Sequence, residues 1–404
     1  MPASIAPTAL PDGAIVRAAT LADLPAMMQI ETDREGADDA VDLELTARTD
    51  AGLAGMSVVE LDGRVLSIAT LLDESMRIGT VTVPTGQVEM VATAKDAEGR
   101  GYVRALMQRC HDLSKARGHV FQVMIGIPNF YRQFGYSYSI PMHPWATMSP
   151  GTVMPAGLQT DIATLDNNDN IGKCAALQDR VQSQFSVAMP HSDDCWRWIL
   201  SHSSSKQVLV RDSNGQAQAV ARVYVDDGDV DMGEVASTSA EATDTLLAHA
   251  LSLSSADGSA RVNVRPNVPG LSEGVQDIER ADWYYVRIDD PASTLSALAP
   301  ELLARLHADG QESGETLLSF WSSHVQLQWD SSTLRVIAGG PMQAPISAGG
   351  TGLPRDALGS LLFGGGAASV EGRFPDAYLG RRADLMHVMF PPQSADLLTY
   401  YLAS

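Results

Sequence analysis

The chain has 404 residues, 45% of them hydrophobic, and its 28 Lys and Arg against 49 Asp and Glu give a formal charge of −21. That length suits two or three domains with real cores, and the acidic balance excludes nucleic acid or an anionic membrane as the main partner while suiting a cationic ligand. The three cysteines, Cys110, Cys174 and Cys195, lack metal-type spacing, and the opening MPASIAPTALPDGAIV has neither a charged start nor a long apolar run. No metal, signal peptide or membrane span is therefore expected, and a reducing cytoplasm is the natural compartment.

Residues 16–20 read as a first strand. A helix follows with Leu24, Met27, Met28 and Glu31 on successive turns, and Thr20 and Asp23 have the spacing of a cap. Residues 56–61 and 65–72 are β-rich runs joined by Asp62-Gly63, the dipeptide of a tight hairpin turn. An apolar run at 88–93 leads into a polar turn ending in Gly99-Arg100-Gly101. Beyond it Val103, Leu106, Met107, Cys110 and Leu113 recur at helical spacing, and Gly118 after Arg117 marks the stop. A second apolar strand covers 120–125, and the unit closes on Phe130-Tyr131-Arg132-Gln133-Phe134-Gly135-Tyr136. Strand, glycine turn and helix together can bind an anion, because the first N–H groups of a helix lack internal partners and small residues admit a phosphate. Arg100 and Arg104 add charge there. A plain tight turn would use the same glycines.

The stretch EGRGYVRALM, followed one helix and one strand later by NFYRQFGY, resembles the core of the GCN5-related N-acetyltransferases (GNAT). GYVRALM is similar to the Eis (enhanced intracellular survival) branch of that family. The resemblance implies an α/β (α+β) fold with two tandem GNAT-like domains, the second degenerate, and a C-terminal sterol-carrier-like domain. The boundaries expected are 14–150, 151–284 and 285–404. It implies acetyl-CoA as co-substrate, held by Val91, Ala92 and Thr93 on the strand, by Gly99, Arg100, Gly101, Tyr102, Val103 and Arg104 around the helix start, and by Gly126 and Ile127. Glu98 stands where the family usually carries Arg or Gln, and Val103 where it usually carries Gly or Ala.

Residues 157–283 repeat the order of the first third. They offer a helix at 171–185, a Trp-rich helix at 193–201, a hairpin of 208–212 and 217–225 about Asn214-Gly215, a helix at 240–254 and a strand at 260–264. Val235-Ala236-Ser237-Thr238-Ser239-Ala240 replaces the glycine loop, so this half reads as a domain without cofactor. The region from Trp283 onward offers a helix at 295–306, strands at 316–320, 325–329 and 335–338, and helices at 355–363 and 375–386. Gly364-Gly365-Gly366 has no following Lys-Ser/Thr and reads as a helix stop, not a phosphate loop.

Tyr131 is the candidate acid. A phenol titrates near pH 10, and the resemblance assigns a Tyr at this position to protonate the departing thiolate; the plain alternative is a core aromatic beside Phe130 and Phe134. Tyr136 and Tyr138 read as packing residues. Two groups compete as base. Glu89 lies on the strand entering the loop, and Eis-like proteins resemble an arrangement in which the terminal carboxylate, here Ser404, enters the first domain's site. The apolar and aromatic ending LLTYYLAS suits a docking segment. The expectation is an acetyl-CoA-dependent N-acetyltransferase of the EC 2.3.1 class. Its acceptor would be a small cationic amine, aminoglycoside- or polyamine-like, or a lysine side chain, and the assembly a homohexamer. The alternative is an acyl-CoA- or apolar-ligand-binding protein whose catalysis has weakened, with Glu98 as its signature.

Overall fold

The computed structural model describes residues 5–148, 158–165, 169–202, 205–255 and 257–399. Strands β1 (Thr8–Ala9) and β2 (Ile15–Ala18) lead into helices α1 (Leu24–Arg34), α2 (Ala37–Ala47) and α3 (Asp50–Gly55). The Thr20 N–H and hydroxyl both donate to Asp23 Oδ2 at 2.8 Å, closing the expected cap. β3 (Met56–Leu61) and β4 (Arg64–Ile78) form the expected hairpin, with φ of 52° at Asp62 and 78° at Gly63, as a primed turn requires. β4 continues past residue 72 because its partner β5 (Val81–Thr93) pairs with it all the way to Ile78↔Val81. α4 (Tyr102–Ala116) then crosses to β6 (Phe121–Met124), and β7 (Ser137–Pro141) follows.

Two irregularities open this sheet. Met90 adopts φ 52°, and the β4–β5 ladder slips between Ile68 and Thr70. β5 and β6 pair in parallel only from Thr85↔Phe121 to Gln87↔Val123. Beyond Gln87 the two strands part, and a cleft begins.

The second unit contains β8 (Trp145–Met148), β9 (Gln159–Ile162), α5 (Asn170–Gln182), β10 (Val187–Met189), α6 (Asp193–Ser201), β11 (Ser205–Arg211), β12 (Ala217–Asp226), β13 (Asp229–Ser237), α7 (Ala240–Leu253), β14 (Ala260–Asn263) and β15 (Val275–Gln276). Its sheet has the order β15-β8-β14-β13-β12-β11-β9. The echo read in the sequence is present in space. β13 and β14 pair in parallel only from Val230↔Ala260 to Met232↔Val262, Glu234 adopts φ 55°, and the β12–β13 ladder slips between Val220 and Arg222.

Strand membership departs from the order of the chain. β8, within 14–150, pairs in the second sheet. β16 (Trp283–Arg287) does not begin a separate third unit but lies between β6 and β7 in the first sheet. Its Tyr284, Tyr285 and Val286 are buried in succession, the pattern of a strand covered on both faces. Such a run signals a central strand without naming the sheet that takes it.

The last part holds α8 (Pro291–Ala297), α9 (Ala299–Ala308), β17 (Gly314–Ser319), β18 (His324–Trp329), β19 (Leu334–Gly339), β20 (Thr351–Gly352), α10 (Ala357–Phe363), α11 (Gly366–Arg373), α12 (Ala383–Met389) and β21 (Ala395–Leu397). The helix expected over 295–306 is two helices meeting at Leu298. The helix expected over 375–386 starts only at Ala383. Tyr378 and Gly352 exchange backbone hydrogen bonds at 2.7 and 2.9 Å, which holds the preceding segment extended. One apolar core runs from Met27 and Leu43 to Trp196 and Leu246, and another joins Phe121 and Met189 to Leu361 and Phe390, so the units share cores.

Candidate active site

The glycine loop is an open anion cradle. Gly99 and Gly101 have φ of 75° and 84°, a region glycine enters at little cost. A Cβ on either would meet nothing within 4 Å among the described residues. Gly101 is the N-cap of α4 and supplies no side-chain cap, so the first N–H groups of this 15-residue helix stay available. α7 differs: Ser239 Oγ accepts from Ala242 N at 3.2 Å and fills its own helix start. Arg100 and Arg104 are exposed at the loop. Arg104 donates to Gln133 Oε1 at 2.8 Å and lies 5.2 Å over the Phe134 ring, tying the loop to the Tyr131 segment. Glu98 is held by Arg34 at 2.8 Å, so its charge is balanced from α1. The Tyr102 side chain turns inward and donates to Asp12 Oδ2 at 2.6 Å, while Val103 is half-buried.

The cleft starts on the β6 side of β5. Ala92 is buried there, with Val91 and Thr93 half-buried. Ser67 Oγ donates to Ala92 O at 3.0 Å and lies 2.7 Å from Thr93 Oγ1, fixing the strand from the β4 side. Gly126 and Ile127 come after β6 on the opposite side of the parting, with Ile127 64% exposed.

Residues 130–134 form a single 3-10 turn between left-handed Asn129 and Gly135. A Cβ on Gly126 would sit 2.5 Å from the Tyr131 ring, so the ring packs on bare backbone. Phe130 and Tyr285 meet it edge-on at 5.0 and 6.0 Å. Tyr131 is 5% exposed, and its hydroxyl has no hydrogen-bond partner among the described residues. Burial first, then the charges of Glu89 and Glu35, hold its pKa well above the ordinary phenol value, so it keeps its proton at neutral pH. Tyr136 is different, donating to Gln122 Oε1 at 2.6 Å. Tyr138 accepts from Asn129 N at 2.9 Å and from the Tyr285 hydroxyl at 2.7 Å, pinning the loop before Tyr131.

Carboxylates gather close by with little compensation. Glu89 is 7% exposed and accepts from Gln87 Nε2, and burial pushes its pKa up to about 8. Glu31 is 1% exposed, and its Oε2 has no hydrogen-bond partner among the described residues. Burial, then the charges of Asp39, Glu35, Glu89 and Asp42, push Glu31 up to about 8. Glu74 rises to about 8 by burial, with Asp73 and Glu89 adding to the effect. The sequence singles out Glu89 but shows Glu31 only as a helix position; a carboxylate on the apolar face of α1 is the signal that could have found it.

A second cluster lies in the other unit. Cys195 Sγ is 3.2 Å from His191 Nδ1, and His191 Nε2 is 3.0 Å from Glu234 Oε2. Nucleophile, base and orienting acid stand in that order. However, burial and the charges of Glu74 and Glu234 hold the thiol far above its usual value, so it stays protonated and serves the core.

Ser404, Tyr400 and Tyr401 lie outside the described residues. Residues 395–399 are each no more than 8% exposed, and of the ending read as a docking segment only 397–399 are among the described residues. Leu398 N donates to Met189 O at 2.8 Å, and the Tyr284 hydroxyl donates to Leu397 O at 3.5 Å. Tyr284 also hydrogen-bonds the Thr399 side chain and feels the charges of Asp396, Glu234 and Glu89. It links the described end of the tail to the first sheet, where β16 pairs with β6.

Residues 17–139 match the acetyltransferase (GNAT) domain family. No curated protein matches the sequence. Among solved structures, a GCN5-related N-acetyltransferase from Kribbella flavida is 17% identical with a TM-score of 0.66, covering 96% of this chain and 100% of its own. One from Anabaena variabilis is 14% identical with a TM-score of 0.68, covering 95% and 99%. Eis1 from Mycobacterium abscessus is 15% identical with a TM-score of 0.60, covering 94% and 98%. Residues 17–139 are thus an acetyltransferase domain of the GNAT family, set in a chain that has the fold of the Eis-like GCN5-related N-acetyltransferases along nearly its whole length.

Proposed function

We propose that the protein transfers an acetyl group from acetyl-CoA to a primary amine of a cationic acceptor. The observation that carries this reading is the uncapped, glycine-bounded start of α4 beside the parting of β5 from β6, with protonated Tyr131 at its exit. The open, positive-φ glycines fit a pyrophosphate. Bound acetyl-CoA supplies an activated thioester and departs as the free thiol. The backbone of residues 99–103 and the guanidinium groups of Arg100 and Arg104 hold its phosphates. Backbone N–H groups of Val91, Ala92 and Thr93 receive the negative charge that develops on the carbonyl oxygen, each contact being worth on the order of a few kcal/mol. Tyr131 gives its proton to the leaving sulfur.

Glu31, Glu74 and Glu89 support a cationic acceptor, since a bound ammonium would draw off their protons and replace the missing counter-charge. A polyamine- or aminoglycoside-like molecule and a lysine side chain share that chemistry. The terminal carboxylate of Ser404 is the base in this reading, and Glu89 the rival. Glu89, at about 8, holds most of its proton at neutral pH, which favours Ser404. Loss of catalysis through Glu98 has less motive, because Arg34 holds that carboxylate. Functional units near 14–150, 151–284 and 285–404, a sterol-carrier-like role for the last, a cytoplasmic location and a hexamer belong to the same reading. Thiol release from acetyl-CoA across a panel of polycationic amines and lysine peptides tests it. Absence of both turnover and thermal stabilisation by acetyl-CoA would overturn it.

A further inference from the structure

A buried polar network ties the docked tail to the second unit. Asp396 is 1% exposed, and both its oxygens are engaged. Oδ1 accepts from Arg265 Nε at 2.9 Å and lies 2.8 Å from His143 Nε2. Oδ2 accepts from Arg265 Nη2 at 2.7 Å and Gln182 Nε2 at 2.9 Å. Arg265 is 2% exposed and donates through Nη1 to Gln178 Oε1 at 2.6 Å and Val235 O at 2.9 Å. The network sits where β13 and β14 part, the counterpart of the first unit's cleft. An ion pair thus stands at the second parting.

A buried ion pair seldom stabilises a fold more than well-packed apolar residues would. What this pair can fix is register. β21 runs parallel to β10 through Val187↔Ala395, Ala188↔Asp396 and Met189↔Leu397. So short a ladder specifies its register poorly, and the apolar Ala395, Leu397 and Leu398 would tolerate a slip. A slip of one residue would set an apolar side chain against Arg265 and displace Thr399 by about 3.3 Å, taking it off Tyr284.

We infer that Arg265 and Asp396 are positioning residues for acetyl transfer. The pair sets the register of β21 and so holds Thr399 against Tyr284 of β16, the strand that the first unit's sheet takes in beside β6. This inference rests on the proposed function, since it assigns the pair to that site.

The test is the double variant Arg265→Met with Asp396→Leu, which leaves neither charge stranded, read by turnover, acetyl-CoA affinity and amide exchange at 395–399. The expected result is a folded protein with unchanged acetyl-CoA affinity, a kcat lower by about 10-fold or more, and exchange at 395–399 faster by about 10-fold or more. Parent-like exchange overturns the register claim whatever the turnover, and parent-like kcat with accelerated exchange overturns the positioning claim. A parent that never turns over, yet whose tail loosens in the variant, rejects the proposed function and with it the positioning role, while the register claim stands. Should the double variant not fold, Asp396→Asn with Asp396→Glu as its conservative rescue gives the same readouts: Asn must lower kcat and Glu must restore part of it, and failure of either contradicts the inference.

Discussion

Replacing Glu89 with Gln should stabilise the protein, and by an amount that depends on pH. The carboxyl rises from its ordinary 4.5 to about 8 because β5 carries it into the interior with one amide donor, Gln87, to offset burial. A folded pKa above the unfolded one means that stability is fully present below pH 4.5 and is lost as pH climbs through 8. At pH 7 the folded chain still holds the proton that the unfolded chain has released, which at 1.36 kcal/mol per unit costs about 3 kcal/mol. Above pH 8 the cost levels off near about 5 kcal/mol. Gln cannot ionise, and its carbonyl can still accept from Gln87. The variant should match the parent at pH 4, exceed it by about 3 kcal/mol at pH 7 and gain further at pH 9. Guanidinium unfolding of both proteins at the three pH values measures this. A difference that stays constant with pH would refute the reasoning.

Arg100→Ala and Arg104→Ala should each raise the KM for acetyl-CoA several-fold without changing the melting temperature, and an unaltered KM in both would remove the loop from cofactor binding. Arg34→Ala should also weaken acetyl-CoA by freeing the Glu98 charge, and adding Glu98→Gln should restore it; weakening that persists in the double variant would mean that Arg34 acts otherwise. A short C-terminal extension keeps every side chain but abolishes the terminal carboxylate. Acetyl-CoA should still bind while kcat falls about 10-fold or more, and full activity would hand the role of base to Glu89.

Much of the first unit was legible in the sequence because local chemistry dictates it. Asp62-Gly63 forces the hairpin, Thr20 and Asp23 close a cap, and Gly99 and Gly101 take dihedrals that other residues avoid. The spacing of Leu106, Met107, Cys110 and Leu113 puts the buried face of α4 where it lies. The non-local arrangement was not legible. Trp283–Arg287 reads as a strand, but only three-dimensional packing puts it between β6 and β7. The buried carboxylates Glu31 and Glu89 come within reach of each other's charge because α1 packs on the sheet that carries β5, across sequence distances no periodicity spans. The Arg265–Asp396 pair joins residues whose spacing carries no pattern at all.

The central claim is that Tyr131 protonates the leaving thiol of acetyl-CoA as a cationic amine takes the acetyl group. The direct measurement is single-turnover acetyl transfer by the parent and by Tyr131→Phe, with acetyl-CoA affinity measured alongside. The account predicts unchanged affinity, because the ring still packs against Gly126, and a transfer rate lower by about 10²-fold or more. A Phe variant that binds acetyl-CoA and transfers at the parental rate would contradict it.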